Sequence, residues 1–254
     1  MLLCAALGAE SAVGFAESEP DGAAVIGIID AAVRARYDHV LGFTDNEHYA
    51  VFRGSDEVHP AAEMWVKTTY KKGVGKSYEV LKQSGSGLVI KFGLRPLLDN
   101  EKAINLPGNV EKSWFDSENY EMKLKPGGAV RMNGRDCRVL DVAAKRKAPN
   151  MIDGTLWADA KDGNIVRLEG IATKSASAFT GATHMMRDYM ELSGFPMATH
   201  ARAESNSWLV GRIVVTIDYS DYRLEVTAGG VAGGAARGVI FRTANGRGGV
   251  AGVR

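Results

Sequence analysis

The sequence has few of the features that usually betray chemistry. Its 254 residues include only two cysteines, Cys4 and Cys137, too few for a disulfide framework and not clustered as a structural zinc site requires. No apolar run reaches the roughly 18 residues needed for a membrane-spanning helix. Charge of one sign is also missing: 31 Lys and Arg oppose 30 Asp and Glu, for a formal net charge of +1. Such a balance excludes the broad electrostatic attraction of a general nucleic-acid binder.

Glycine is plentiful, at 30 residues, and 45% of the chain is apolar, enough for one sizeable core or two small ones. The average conceals regions. Residues 228–254 hold nine of the glycines, together with Arg237, Arg242, Arg247 and Arg254 and no acid, which leaves residues 1–227 at −3. That low-complexity tail is expected to be disordered. At the other end, residues 1–9 are apolar and then small, like the end of a secretory leader, although the first positive residue is Arg34. Residues 1–20 are therefore expected to be either the remnant of a longer signal or a flexible N-terminus, with residues 21–227 forming the folded domain.

From Asp21 the apolar residues Val25, Ile26, Ile29, Ala32, Val33, Tyr37 and Val40 recur at helical spacing, with Asp21 as a candidate N-cap and Gly42 as a candidate stop. After this the period changes to two. Alternation predicts strands over residues 48–53, 62–70, 77–83, 118–124, 136–142, 152–158, 164–171, 184–192, 197–204 and 211–219. The links are short and turn-like, notably Asn133-Gly134, Asp162-Gly163 and Gly194-Phe-Pro196, which favours antiparallel neighbours. About ten such strands must curl or close. Residues 86–105, containing Leu88, Val89, Ile90, Phe92, Leu94, Leu97 and Leu98, interrupt the strands as a helix fragment or apolar loop. It would serve either as a plug for the core or as a mobile cover over a ligand cavity.

Searches for reaction chemistry return little. Gly73-Val-Gly-Lys-Ser77 suggests a phosphate loop, but the position five before Gly75 is Tyr70 and both flanks are strand, so a hairpin is the better reading. The histidines at 39, 48, 59, 184 and 200 form no pair at metal-ligand spacing, and no metal or cofactor is expected. Asp45, Glu47 and His48 read as a solvated strand edge. Cys137 shares an alternating face with Val139 and reads as a buried, inert thiol.

Alternate residues assign an apolar inner face to Tyr49 and Val51, Met64 and Val66, Tyr78 and Val80, Tyr120, Met122 and Leu124, Val166 and Leu168, and Ile213, Val215, Ile217 and Tyr219. Within residues 134–222, the segments Cys137-Arg-Val-Leu140, Gly154-Thr-Leu-Trp-Ala-Asp159, Gly163-Asn-Ile-Val-Arg-Leu-Glu-Gly170, Met186-Arg-Asp-Tyr189 and Ile217-Asp-Tyr219 resemble the LolA/LolB-like outer-membrane lipoprotein-sorting superfamily. The resemblance implies an unclosed half-barrel of about ten or eleven antiparallel strands, its concave apolar face covered by helices. It also implies an exported, periplasmic, non-enzymatic protein that shelters a lipid, a lipoprotein acyl chain or another hydrophobic ligand, with transient membrane contact and an envelope protein as a possible partner. On this basis the ligand wall is expected to comprise Met64, Val66, Leu88, Phe92, Met122, Trp157, Val166, Leu168, Ile213 and Val215, with Trp157 and Val166 as cross-strand neighbours. Two alternatives stand beside this reading. One is a sensor or interaction module of the same fold; the other is a hydrolase assembled from dispersed groups such as Asp45, His48 and His184.

Overall fold

A computed structural model describes residues 21–148, 150–175, 180–208 and 211–227. Residues 1–20, expected to be a signal remnant or a flexible N-terminus, and the basic tail of residues 228–254, expected to be disordered, lie outside the described residues. Helix α1 (Gly22–His39) begins where Asp21 accepts a hydrogen bond from the Ala23 amide, 3.1 Å away, satisfying one of the free donors of the first turn. Val25 and Ile29, one turn apart, are its buried residues. The helix ends before Gly42, because Val40 already belongs to strand β1 (Val40–Arg53). Gly42 has a different use: a Cβ there would sit 2.9 Å from the Tyr70 carbonyl of the next strand.

The chain continues through β2 (Ala62–Lys71) and β3 (Gly75–Gly85), then α2 (Gly87–Val89), a wide helical turn at Ile90–Leu94, and α3 (Arg95–Ile104). These three pieces form one helical lid, the segment that alternation could not classify. After it come β4 (Tyr120–Leu124), β5 (Val130–Met132), β6 (Arg135–Ala144), β7 (Ile152–Asp159), β8 (Ile165–Ala172), β9 (Thr180–Leu192), β10 (Phe195–Ser207) and β11 (Gly211–Val226). All pairings are antiparallel, and the order is β3-β2-β1-β11-β10-β9-β8-β7-β6-β4, with β5 paired to β6. The path does not close. Pairing of β1 with β11, from Val40 with Val226 to Arg53 with Ile213, joins the first and last strands of the domain inside the sheet, two strands in from the β3 edge.

Two-residue turns set the register. Asn133 and Gly134 have φ of 47° and 81°, and Ser193 and Gly194 have 54° and 84°, the pair of positive values that a type I′ hairpin demands. The first turn creates the short β5, which alternation did not predict. The second places Phe195 and Pro196 in β10 instead of in the turn. Bulges also move residues off their expected faces. Leu81 is the extra residue between the Trp65–Lys82 and Val66–Val80 pairs, and Val80, opposite Val66 and in phase with Tyr78, is nevertheless exposed because it lies on this end strand. Val166 is the extra residue between the Trp157–Arg167 and Ala158–Ile165 pairs, so Trp157 faces Arg167 and is not the partner of Val166.

The inner face carries two clusters. Ile29 of α1 packs with Tyr120, Leu140, Leu156 and Leu168. Leu94 and Leu98 of the lid pack with Tyr49, Met64, Val66 and Ile217. Close backbone approach pins β7 to β8: a Cβ on Gly154 would lie 2.1 Å from the Glu169 carbonyl, and one on Gly170 would lie 2.3 Å from that of Asp153. Gly27, in contrast, is an exposed α1 residue whose Cβ would meet nothing within 4 Å. Gly154→Ala is expected to cost about 1–3 kcal/mol by overpacking, whereas Gly27→Ala should add about 0.5–1 kcal/mol by restricting the unfolded chain. Paired urea titrations measure both, and equal effects of the two substitutions would refute the packing argument.

Candidate functional site: an apolar cavity with a buried charge cluster

Between the two clusters lies a cavity of about 920 Å³. Its walls come from α1 (Val33, Tyr37), the lid (Val89, Leu94, Leu97), β1 (Phe43, Val51), β8 (Ile165, Leu168) and the central strands β9 to β11 (Met185, Ala201, Ile217). This size and composition suit a small apolar molecule or chain. Leu88 and Phe92, one helical turn apart, also line it, yet they are 70% and 69% exposed, so they form the rim of the opening.

Five of the ten residues expected from sequence line the cavity: Leu88, Phe92, Leu168, Ile213 and Val215. The other five do not. Met64 and Val66 are fully buried on β2, packed in the core with the lid. Met122 is half-buried beneath the first turns of α1, beside Ile26 and Leu124. Trp157 alternates with the buried Leu156 and Ala158 and so belongs to the opposite sheet face. Val166 is buried, but the bulge leaves Ile165 and Leu168 as the inward pair of β8.

The residues that alternation missed are polar. Asp45 and Glu47 are 2% and 1% exposed; they form no solvated edge but line the cavity. Their positions share phase with the inward residues Phe43, Tyr49 and Val51 of β1. Opposite them stand Lys76 on β3, Glu101 on α3 and Arg187 on β9, all in the cavity wall. Lys76 Nζ lies 3.4 Å from Glu101 Oε2 and 3.9 Å from Glu47 Oε1, and Arg187 Nη2 lies 3.8 Å from Glu101 Oε1. Glu101 thus ties the lid to two separate strands. Burial opposes its ionisation, but Lys76 and Arg187 outweigh burial and hold its carboxyl below the ordinary value. Burial likewise opposes the charge of Lys76, and Glu101 and Glu47 overcome that penalty to raise its pKa.

Asp45 is the exception. Neither of its carboxyl oxygens has a hydrogen-bond partner. Burial, and then the like charge of Glu47, push its pKa from 3.8 up to about 8, against the opposing pull of Lys76 and Tyr222. Two nearby donors are engaged elsewhere: the Tyr49 hydroxyl donates to Glu47, and the Tyr222 hydroxyl to the Ala198 carbonyl at 2.9 Å.

The dispersed groups considered for hydrolysis do not meet. His48 alternates with Asp45 and Glu47 on β1, so it takes the other face, where it contacts Glu63 at 3.0 Å and stacks on Trp65 with ring centroids 4.5 Å apart. His184 is exposed on β9. Cys137 is buried, and burial together with Asp159 pushes its thiol up to about 11, which keeps it protonated at neutral pH. Gly73-Val-Gly-Lys-Ser77 spans the β2–β3 hairpin, with no helix N-terminus to receive a phosphate. Among the described residues no group of three or more His, Cys, Asp or Glu could hold a metal, and no helix is long and apolar enough to cross a membrane.

Comparison with known proteins finds likeness in structure alone. No family model matches the sequence, and no curated protein does. Among solved structures, a putative outer membrane lipoprotein-sorting protein domain from Vibrio parahaemolyticus shares 15% identity over 78% of this chain and 91% of that one, with a TM-score of 0.45. A LolA superfamily protein from Nitrosomonas europaea shares 13% over 78% and 92%, with a TM-score of 0.41. A DUF1329 family protein from Desulfovibrio piger shares 14% over 79% and 93%, with a TM-score of 0.39. The structural neighbours are thus LolA-superfamily, lipoprotein-sorting and DUF1329 proteins. The strands of this chain themselves form the open, antiparallel half-barrel.

The protonation of Asp45 has a measurable consequence. Between pH 3.8 and about 8 the native state holds a proton that the unfolded chain releases. Raising the pH through that window therefore lowers stability, by up to about 1.4 kcal/mol per pH unit. Asp45→Asn abolishes the linkage. Urea unfolding at pH 5 and at pH 7.5 should show the natural chain losing stability relative to the variant, and parallel profiles would show that Asp45 folds ionised.

Proposed function

We propose that the chain is an exported, non-enzymatic carrier or binder of a hydrophobic ligand, held in the cavity between α1 and the lid. Residues 21–227 act as the single binding domain, in the periplasm or elsewhere in the cell envelope. The observation that carries the reading is the cavity itself: about 920 Å³ between two separate apolar clusters, with apolar rim residues at its opening. A packed core of this size ordinarily leaves no such space. Transfer of an acyl chain from water into an apolar site yields about 0.8 kcal/mol per methylene, so the chain of a lipid or lipoprotein supplies its own driving force.

In this reading Leu168, Ile213 and Val215 form part of the fixed wall. Leu88 and Phe92 are the residues first met by an entering chain, and the contact with a membrane or an envelope protein during loading is transient.

Extraction of natively purified protein with organic solvent, followed by mass spectrometry, should return a lipid or other amphiphile in near-stoichiometric amount. Ala203 lines the cavity and is half-buried on β10, so Ala203→Phe should reduce occupancy by filling the space while leaving the strand intact. A natural chain that carries nothing, and that takes up no long-chain amphiphile after purification, would refute the proposal.

A further inference from the structure

We propose that the buried cluster is a head-group site, in which Asp45 and Glu47 receive the primary ammonium group of a long-chain amphiphile whose tail fills the apolar cavity. This rests on the carrier reading above and assigns the chemistry of the ligand's polar end.

Donors and acceptors in the buried cluster do not balance. Both cations in the cluster are engaged: Lys76 by Glu101 and Glu47, and Arg187 by Glu101. Without a hydrogen bond in this cluster are Oδ1 and Oδ2 of Asp45, Oε1 of Glu47, which faces Lys76 only at 3.9 Å, and the Tyr78 hydroxyl, so acceptors outnumber the one idle donor. An unpaired carboxyl at this depth is costly to the fold, and the cavity it lines is the route by which a donor can reach it. The two side chains stand two residues apart on the inward face of β1, so their Cα atoms are about 7 Å apart along the strand. A group placed between them is within reach of both. An ammonium offers three N–H donors and no acceptor, which suits the two unpartnered oxygens of Asp45 and the Glu47 oxygen that Lys76 approaches only to 3.9 Å. A carboxylate or phosphate head would instead face two carboxyl groups and would have to displace Glu101 from Lys76 and Arg187. A hydroxyl head supplies one donor and no charge.

Binding of this kind is linked to protons. The groups around Asp45 are Glu47 on its own strand, Lys76 and Tyr78 on β3, Glu101 on α3, Arg187 on β9, and Tyr219 and Tyr222 on β11. With Lys76, Glu101 and Arg187 held in their charged forms, Asp45 is the group whose deprotonation creates the charge complementary to an ammonium. Affinity should therefore rise as pH increases through about 8, the reverse of the trend expected for a carboxylate head.

The test compares dodecylamine, dodecanol and dodecanoate, which share one tail, by calorimetry on delipidated full-length protein near pH 8.5. Dodecylammonium should bind at least about tenfold tighter than dodecanoate, as expected for a desolvated charge pair, and its affinity should climb from about pH 6 to about pH 9. Asp45→Asn should remove most of that preference while dodecanol affinity stays within about twofold, which also shows that the variant is folded; Glu47→Gln should weaken the preference independently. Equal binding of all three, tightest binding of dodecanoate, or a preference that survives Asp45→Asn would overturn the head-group site and leave the carrier reading standing. Failure of all three to bind would overturn both.

Discussion

An eleven-stranded sheet that does not close has an inner face too large for any one helix, and that constraint organises the molecule. Helix α1 covers the half built from β4 and β6 to β8 through Ile29, and the lid covers the half built from β1 to β3, β10 and β11 through Leu94 and Leu98. Neither covers the middle. The cavity is the space left where the two coverings fail to meet, and β9, β10 and β11, which lie between the strands under α1 and the outer strands under the lid, contribute to its wall.

A cover held only by apolar contacts could slide, because such contacts have no direction. Glu101 supplies the direction. Its carboxyl faces Lys76 from β3 and Arg187 from β9, strands that lie far apart in the sheet order, so one side chain fixes the lid against both ends of its range. Displacing α3 would leave Lys76 with only the more distant Glu47 and Arg187 without the carboxylate that faces it, and uncompensated charge at such depth is far costlier than the loss of a few methylene contacts. The lid therefore has a defined closed position, even though its outer turn leaves Leu88 and Phe92 in solvent.

Most of the sheet was legible in the sequence because period-two alternation is imposed directly by the burial of one face. The ten strands expected correspond to ten of the eleven observed, and β5 was missed because three residues are too few to show a period. A single inserted residue changes the phase at Leu81 and at Val166, which removes Val166 from the inward pair of β8, whereas Trp157 is outward simply because it falls between the inward Leu156 and Ala158. The site was legible only in part, for a different reason. Reading the inner face from hydrophobicity discards any polar residue on it, and so Asp45 and Glu47 were taken for a solvated edge although they keep step with Phe43, Tyr49 and Val51. Glu101 follows Leu94 and Leu98 at helical spacing, and Arg187 keeps step with Met185 and Tyr189. Phase marks all four as inward, and only their chemistry argued otherwise.

That conflict between phase and polarity is itself informative. An apolar wall gives affinity but little discrimination, because one methylene is worth nearly the same against any hydrocarbon surface. Discrimination needs buried polar atoms whose needs are met by the right ligand and left unmet by the wrong one. Replacing a buried charged cluster with hydrophobic residues of similar volume is often neutral or stabilising, so folding alone gives no reason to place Asp45 where both of its oxygens lack a partner. The lid needs Glu101, Lys76 and Arg187 to stay closed; it does not need Asp45. The carboxyl group that the fold leaves with neither oxygen hydrogen-bonded is thus the one best placed to read what enters.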